Sequence, residues 1–164
     1  MPEDLQFIPF EEKNRELIKL LIKELYFSPA VIHKPSETII NNIVCACFDR
    51  KTNVDGYEIV LNNNVIGYFI ISFSFSTEYG TNCAWLEDLY IKSEYRNRGF
   101  GTKVFDFIKN EYVSKGYRVR LEVEKSNLNA IYFYKKNGLT KSEYFVMEIN
   151  SKNWKIFKSN VYMV

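Results

Sequence analysis

A seven-residue turn, Arg96-Asn97-Arg98-Gly99-Phe100-Gly101-Thr102, constrains this chain more than any other stretch. An alternating, β-prone run from Ala84 to Ile91 leads into it, and a helical pattern leaves it and continues to about Lys115. A further strand pattern, Arg118 to Glu124, follows. Strand, helix and strand in that order require a parallel pair joined by a right-handed crossover. The turn itself suits an anion. Its glycines leave backbone N–H groups unshielded, and the unpaired N–H groups and positive dipole end of the helix point the same way. A diphosphate-bearing ligand is therefore expected at this turn. It is neither a GxxxxGK[ST] loop nor a dinucleotide fingerprint, because Lys103 and Val104 stand where a third glycine would be needed.

The remaining elements follow from periodicity. Leu5 to Phe10 reads as a strand, Glu11 to Tyr26 as a helix ended before Pro29, and Thr38 to Phe48 as a second helix after Ser36. Tyr57 to Leu61 and Val65 to Phe75 form a hairpin across Asn62-Asn63-Asn64, since asparagine tolerates positive φ. Leu128 to Asn137 is a helix stopped by Gly138, and Tyr144 to Ile149 and Trp154 to Met163 are expected as closing strands. No linker or repeat divides the chain. The expectation is one α+β domain over residues 1–164: a mixed, mostly antiparallel sheet with one parallel strand pair at the ligand turn, flanked by about four helices.

Composition excludes several function classes. A net charge of +2, with the charges interspersed, argues against a nucleic-acid partner. No apolar run reaches the length of a membrane span, and the acidic start Met1-Pro2-Glu3-Asp4 does not resemble a signal peptide. Cys45, Cys47 and Cys83 make no disulfide framework. With His33 as the lone histidine they make a poor metal site, so no metal is expected and a reducing, cytoplasmic location is.

A second constellation adds specificity. In Asn127-Leu128-Asn129-Ala130-Ile131-Tyr132-Phe133-Tyr134, Ala130 and Tyr134 are four apart and share a helix face, while Asn127 stands at the N-cap, able to cap the helix or bond a ligand amide. Taken together, Arg96-x-x-Gly99-x-Gly101 and Asn127-x-x-Ala130-x-x-x-Tyr134 with Asn137-Gly138-Leu139 resemble the two motifs of the GCN5-related N-acetyltransferase (GNAT) superfamily. The order of elements fits that family over essentially the whole chain. Leu86-Glu87-Asp88 is most similar to the diamine (spermidine/spermine) acetyltransferases. Asn97 stands where many members have glycine, and Leu139 where phenylalanine is usual.

The resemblance implies acetyl-CoA as cosubstrate and transfer of its acetyl group to a primary amine of a small molecule, such as a polyamine or related cationic metabolite. Acetylation of a protein N-terminus or lysine, or non-catalytic coenzyme A (CoA) binding, are the alternatives. Such chemistry must deprotonate an alkylammonium that is only about one part in a thousand free base at pH 7, stabilise an oxyanion and protonate a thiolate. The resemblance assigns the base to Glu87, with Asp88 as fallback, and the acid to Tyr134. Strand alternation allows only one of Glu87 and Asp88 to face the site, and groups Glu87 with Leu89 and Ile91. It implies backbone pairing of Leu89, Tyr90 and Ile91 with the pantetheine arm, the Leu89 N–H as oxyanion donor, and contacts from Arg96, Asn97, Arg98, Gly99, Phe100, Gly101, Thr102, Asn127, Ala130 and Tyr134. Lys135 and Lys136 are read as solvated. Tyr26 to Ser36 and Ser76 to Asn82 would wall the acceptor, with Glu24, Tyr26, Glu78 and Tyr79 suited to a cation. The C-terminal strands offer an edge for a homodimer.

Overall fold

The computed structural model describes residues 4–49, 52–147 and 149. Asn62 and Asn63, at φ 48° and 65°, make the sharp reversal that the triple asparagine predicts. They join β2 (Val54–Leu61) to β3 (Asn64–Ser76). Strand β1 (Leu5–Pro9) pairs antiparallel with β2, and β3 pairs antiparallel with β4 (Thr81–Ile91). Strand β5 (Arg118–Leu121) joins β4 in parallel, giving the order β1-β2-β3-β4-β5. The crossover between β4 and β5 is helix α3 (Phe100–Glu111), as the strand–turn–helix pattern requires.

Helices cover both faces. Ile18, Leu21 and Ile22 of α1 (Arg15–Tyr26) and Ile40, Val44 and Cys47 of α2 (Glu37–Phe48) pack on Tyr68, Ile70 and Tyr90 of the sheet. On the opposite face Phe100, Val104, Phe105 and Ile108 of α3 pack on Ile59, Phe69, Ile71, Ala84 and Leu86. Helix α4 (Leu128–Lys136) adds Phe133 and Tyr134 to that side. Lys19 and Lys23 of α1 both pair with Glu37 at the start of α2, where Ser36 caps the helix by accepting from the Ile39 N–H. Glu58 is buried beneath the entry to α1. Its carboxylate accepts from the Glu11 N–H at 2.9 Å and from Asn14 Nδ2 at 2.7 Å, and burial pushes its pKa up.

Two expectations change. Strand β5 stops at Leu121, not Glu124, because its ladder with β4 ends at the Leu86–Leu121 pair. Residues 144–147 and 149 are exposed and form no strand, since no neighbouring strand among the described residues offers them a ladder. Trp154 to Met163 lies outside the described residues, and with it most of the edge considered for a dimer.

Candidate active site

The site is built around a fault in the β3–β4 ladder. Ile70 pairs with Asp88 but Ile71 pairs with Leu86, so Glu87 is an extra residue, a β-bulge. The bulge overturns the alternation expected for β4. Before it, Ala84 and Leu86 face the α3 side, and after it Leu89 and Ile91 do. Glu87 does not join them. It accepts a short hydrogen bond from the Ser72 hydroxyl, and Ser72 lies on the same face of β3 as Tyr68 and Ile70. Glu87 and Asp88 therefore both turn to the α1–α2 side, one exposed and one buried.

Asp88 is 7 % exposed and accepts from the hydroxyls of Tyr68 at 3.2 Å and Tyr26 at 3.3 Å. Burial raises its pKa to about 6, and the nearby Glu87 charge adds to the rise against the two tyrosine hydrogen bonds. Because the folded pKa lies above the unfolded one, Asp88 stabilises the fold below about pH 4, and that contribution is lost as pH rises through about 6. The difference amounts to about 3 kcal/mol. Asp88→Asn is thus expected to flatten the stability gain that the wild-type chain shows between pH 8 and pH 4, measured by urea unfolding at each pH. An identical slope in both proteins would contradict the buried, protonatable carboxyl.

Beyond Leu86 the edge of β4 that faced β5 has no partner strand among the described residues. The Lys92 N–H donates to Ile66 O of β3 at 2.9 Å. Alternation then turns the backbone groups of Tyr90 to β3 and those of Leu89 and Ile91 to the open side. Of the three residues expected to pair with an extended ligand, Leu89 and Ile91 present backbone groups to it and Tyr90 does not. The Tyr90 hydroxyl instead donates to Glu24 at 2.7 Å, and burial together with that carboxylate pushes its pKa to about 12.

The turn that follows has the shape expected for an anion cradle. Asn97 adopts φ 61° and Gly99 φ 83°, and a Cβ at Gly99 would meet open space. Gly99 is the N-cap of α3, and the N–H groups of Gly99, Phe100, Gly101 and Thr102 find no backbone acceptor among the described residues. Gly101 serves a different need, since a Cβ there would lie 2.9 Å from the Phe133 ring. It lets α3 and α4 approach. Arg96 Nε donates to Ile91 O at 2.7 Å and its guanidinium lies 5.4 Å from the Tyr90 ring centre, so it ties the turn to β4. Arg98 lies over the Phe100 and Tyr95 rings.

On α4, Asn127 accepts from the Ala130 N–H at 3.2 Å and so caps the helix. Tyr134 packs edge-on to Phe105 and beside Phe133, and no hydrogen bond to its hydroxyl is found among the described residues. Burial, then the charge of Asp88, raises its pKa, so the phenol keeps its proton. On the α1–α2 side, a hollow of about 350 Å³ is lined by Ser72, Ser74, Trp85, Leu86, Glu87 and Glu122. Of these the sequence reading singled out Glu87 alone as a site residue. The alternation of Ser72, Ser74 and Ser76 with Phe73 and Phe75 was the signal for a polar wall. The loop residues expected there are otherwise engaged, with Glu78 accepting from Tyr144 and Tyr79 lying beneath Arg118.

Known proteins share this fold. The family model for the acetyltransferase (GNAT) family matches residues 16–139. Thialysine N-epsilon-acetyltransferase from Bos taurus is 40% identical over 83 residues, 48% of each chain, and the Mus musculus protein of that name is 39% identical over the same length. The chain thus spans about half the length of the curated relatives it matches. A possible acetyltransferase from Clostridium difficile 630 superposes with TM-score 0.77 over 89% of this chain and 97% of its own, at 19% identity. AAC(6')-Iy in complex with a bisubstrate analogue superposes with TM-score 0.71 over 90% and 98%, at 11% identity. The family model covers the bulged β4 and the helix-capping glycine turn along with most of the chain: the chain belongs to the acetyltransferase (GNAT) family.

Proposed function

We propose that this chain is an acetyl-CoA-dependent N-acetyltransferase that acetylates the primary amine of a small molecule. The observation that carries this reading is the edge of β4 that has no partner among the described residues, with the Leu89 backbone and the Ile91 N–H open between the Gly99 cradle and the Glu87 bulge. The cradle fits a diphosphate, since donors converge at a helix start with open space above Gly99. The open edge fits an amide-bearing arm that pairs as an added strand. The names of the Bos taurus and Mus musculus relatives, which specify an ε-nitrogen, support an amine acceptor.

Acetyl-CoA supplies an acyl group already activated as a thioester. Glu87, exposed beside the hollow, takes the proton of the incoming ammonium directly or through one water. The amine nitrogen then bonds to the acyl carbon as the carbon–sulfur bond breaks. The Leu89 N–H is the fixed donor for the negative charge that develops on the acyl oxygen. Tyr134 gives its hydroxyl proton to the departing sulfur, and the buried phenol can hold that proton until needed.

Saturating acetyl-CoA is expected to raise the melting temperature by about 5–10 °C. Amine-dependent thiol release is expected to fall about 100-fold in Glu87→Gln. Absence of any thermal shift would remove the cosubstrate assignment, and unchanged turnover in Glu87→Gln would remove Glu87 as the base.

A further inference from the structure

Ser72, Ser74 and Ser76 alternate along one face of β3, and each hydroxyl holds a side chain from β4 or β5. Ser72 donates to Glu87 Oε1, Ser74 accepts from the Trp85 indole N–H at 3.2 Å, and Ser76 accepts from the Arg118 guanidinium at 3.2 Å. Phe73, between the first two, packs on the opposite, α3 side.

The contact from Ser72 reaches the site. Glu87 is the residue that the bulge adds, so nothing stands opposite it in the β3–β4 ladder. Its side chain is exposed, and it forms no ion pair among the described residues. Asp88 beside it is turned to Tyr26 and Tyr68. Among the described residues only the Ser72 hydroxyl bonds the Glu87 carboxylate. A glutamate side chain is long and rotates freely, so an untethered carboxylate spreads over many positions and seldom meets an incoming ammonium in line. Ser72 is itself held from both sides, opposite Val54 of β2 and Trp85 of β4. A bond from this central strand to Oε1 fixes the carboxylate and leaves Oε2 to take a proton.

We propose that Ser72 is a positioning residue for acetyl transfer, its hydroxyl aiming the Glu87 carboxylate at the acceptor amine. The inference rests on the assignment of Glu87 as base. Ser72 touches no reacting atom and acts through Glu87 alone.

Thiol release from acetyl-CoA is measured with spermidine, 1,5-diaminopentane and L-lysine, and kcat and KM are taken on the fastest of them. Ser72→Ala is expected to lower kcat about 10-fold, with KM for the amine within about twofold of wild type. Ser72→Thr keeps a hydroxyl on a strand-compatible side chain and is expected to stay within about threefold of the wild-type kcat. Ser72→Val, nearly the same shape without the hydroxyl, is expected to be as slow as Ser72→Ala. In a Glu87→Gln background Ser72→Ala is expected to cost nothing further, because residues that act as a unit are not additive. A wild-type kcat in Ser72→Ala, equal activity in Ser72→Thr and Ser72→Val, or the same fold loss with and without the Glu87 carboxylate overturns the proposal while Glu87 keeps its role. Wild-type turnover in Glu87→Gln removes the base assignment and this inference with it. Thiol release with none of the amines removes both as well, while a thermal shift with acetyl-CoA keeps the cosubstrate assignment standing. If Ser72→Ala fails to fold, the comparison of Ser72→Thr with Ser72→Val decides.

Discussion

Replacing Tyr134 with phenylalanine is expected to lower kcat about 100-fold or more, the usual contribution of a positioned proton donor, while the acetyl-CoA thermal shift stays within about a degree of wild type. The asymmetry follows from where the ring and the hydroxyl sit. The ring packs against Phe105 and Phe133, and phenylalanine preserves those contacts. The hydroxyl bonds to nothing among the described residues, so its removal breaks no internal hydrogen bond and leaves no orphaned partner. Burial and the Asp88 charge raise the Tyr134 pKa, which suits a group that must still carry its proton when a thiolate leaves. Single-turnover acetyl transfer, which separates chemistry from product release, is the measurement. Full activity there would take the acid role from Tyr134 and leave it a packing residue.

Gly67→Val is expected to destabilise the fold by about 3 kcal/mol or more, a fall of roughly 6–12 °C in melting temperature, and to abolish the acetyl-CoA shift in whatever fraction still folds. Gly67 faces Ile91 across the β3–β4 ladder. A Cβ there would lie 2.2 Å from the Tyr90 carbonyl oxygen and 3.0 Å from Ile91 Cα. These are backbone atoms, so no side-chain rotation relieves the clash, and β4 itself must move. The segment displaced is the one whose outer edge presents Leu89 and Ile91. Stability and cosubstrate binding should therefore fail together, unlike in Tyr134→Phe. A folded Gly67→Val chain with a normal shift would mean that the geometry of this edge is not needed for binding.

Much of the fold was legible because local chemistry and tertiary packing agree. The asparagine run between two alternating segments specified the β2–β3 reversal, and the two helices framing Pro29 follow from spacing. The turn at Gly99 was legible for the same reason: its positive φ is a property of a few consecutive residues. Asn127 as an N-cap was legible from its place at the helix start, and its side chain accepts from the Ala130 N–H.

The errors cluster where one residue's role depends on a neighbour distant in sequence. Grouping Glu87 with Leu89 and Ile91 assumed an unbroken pleat. The bulge is a mismatch between two strands, and nothing within β4 alone announces it. Residues 144–147 and 149 have the composition of a strand, but a strand needs a ladder partner, and no strand among the described residues offers one.

The amino-acid order alone thus determined the succession of elements from β1 to α4, the helix-capping glycine turn and the family motifs, because each depends on conformational preferences spanning only a few residues. Tertiary structure alone decided that Glu87 and Asp88 share a face, that Gly67 must lack a side chain, and that Glu87 and Glu122 line one hollow. Those features depend on register, the alignment of one strand against another, and register is fixed by packing of the whole sheet against its helices.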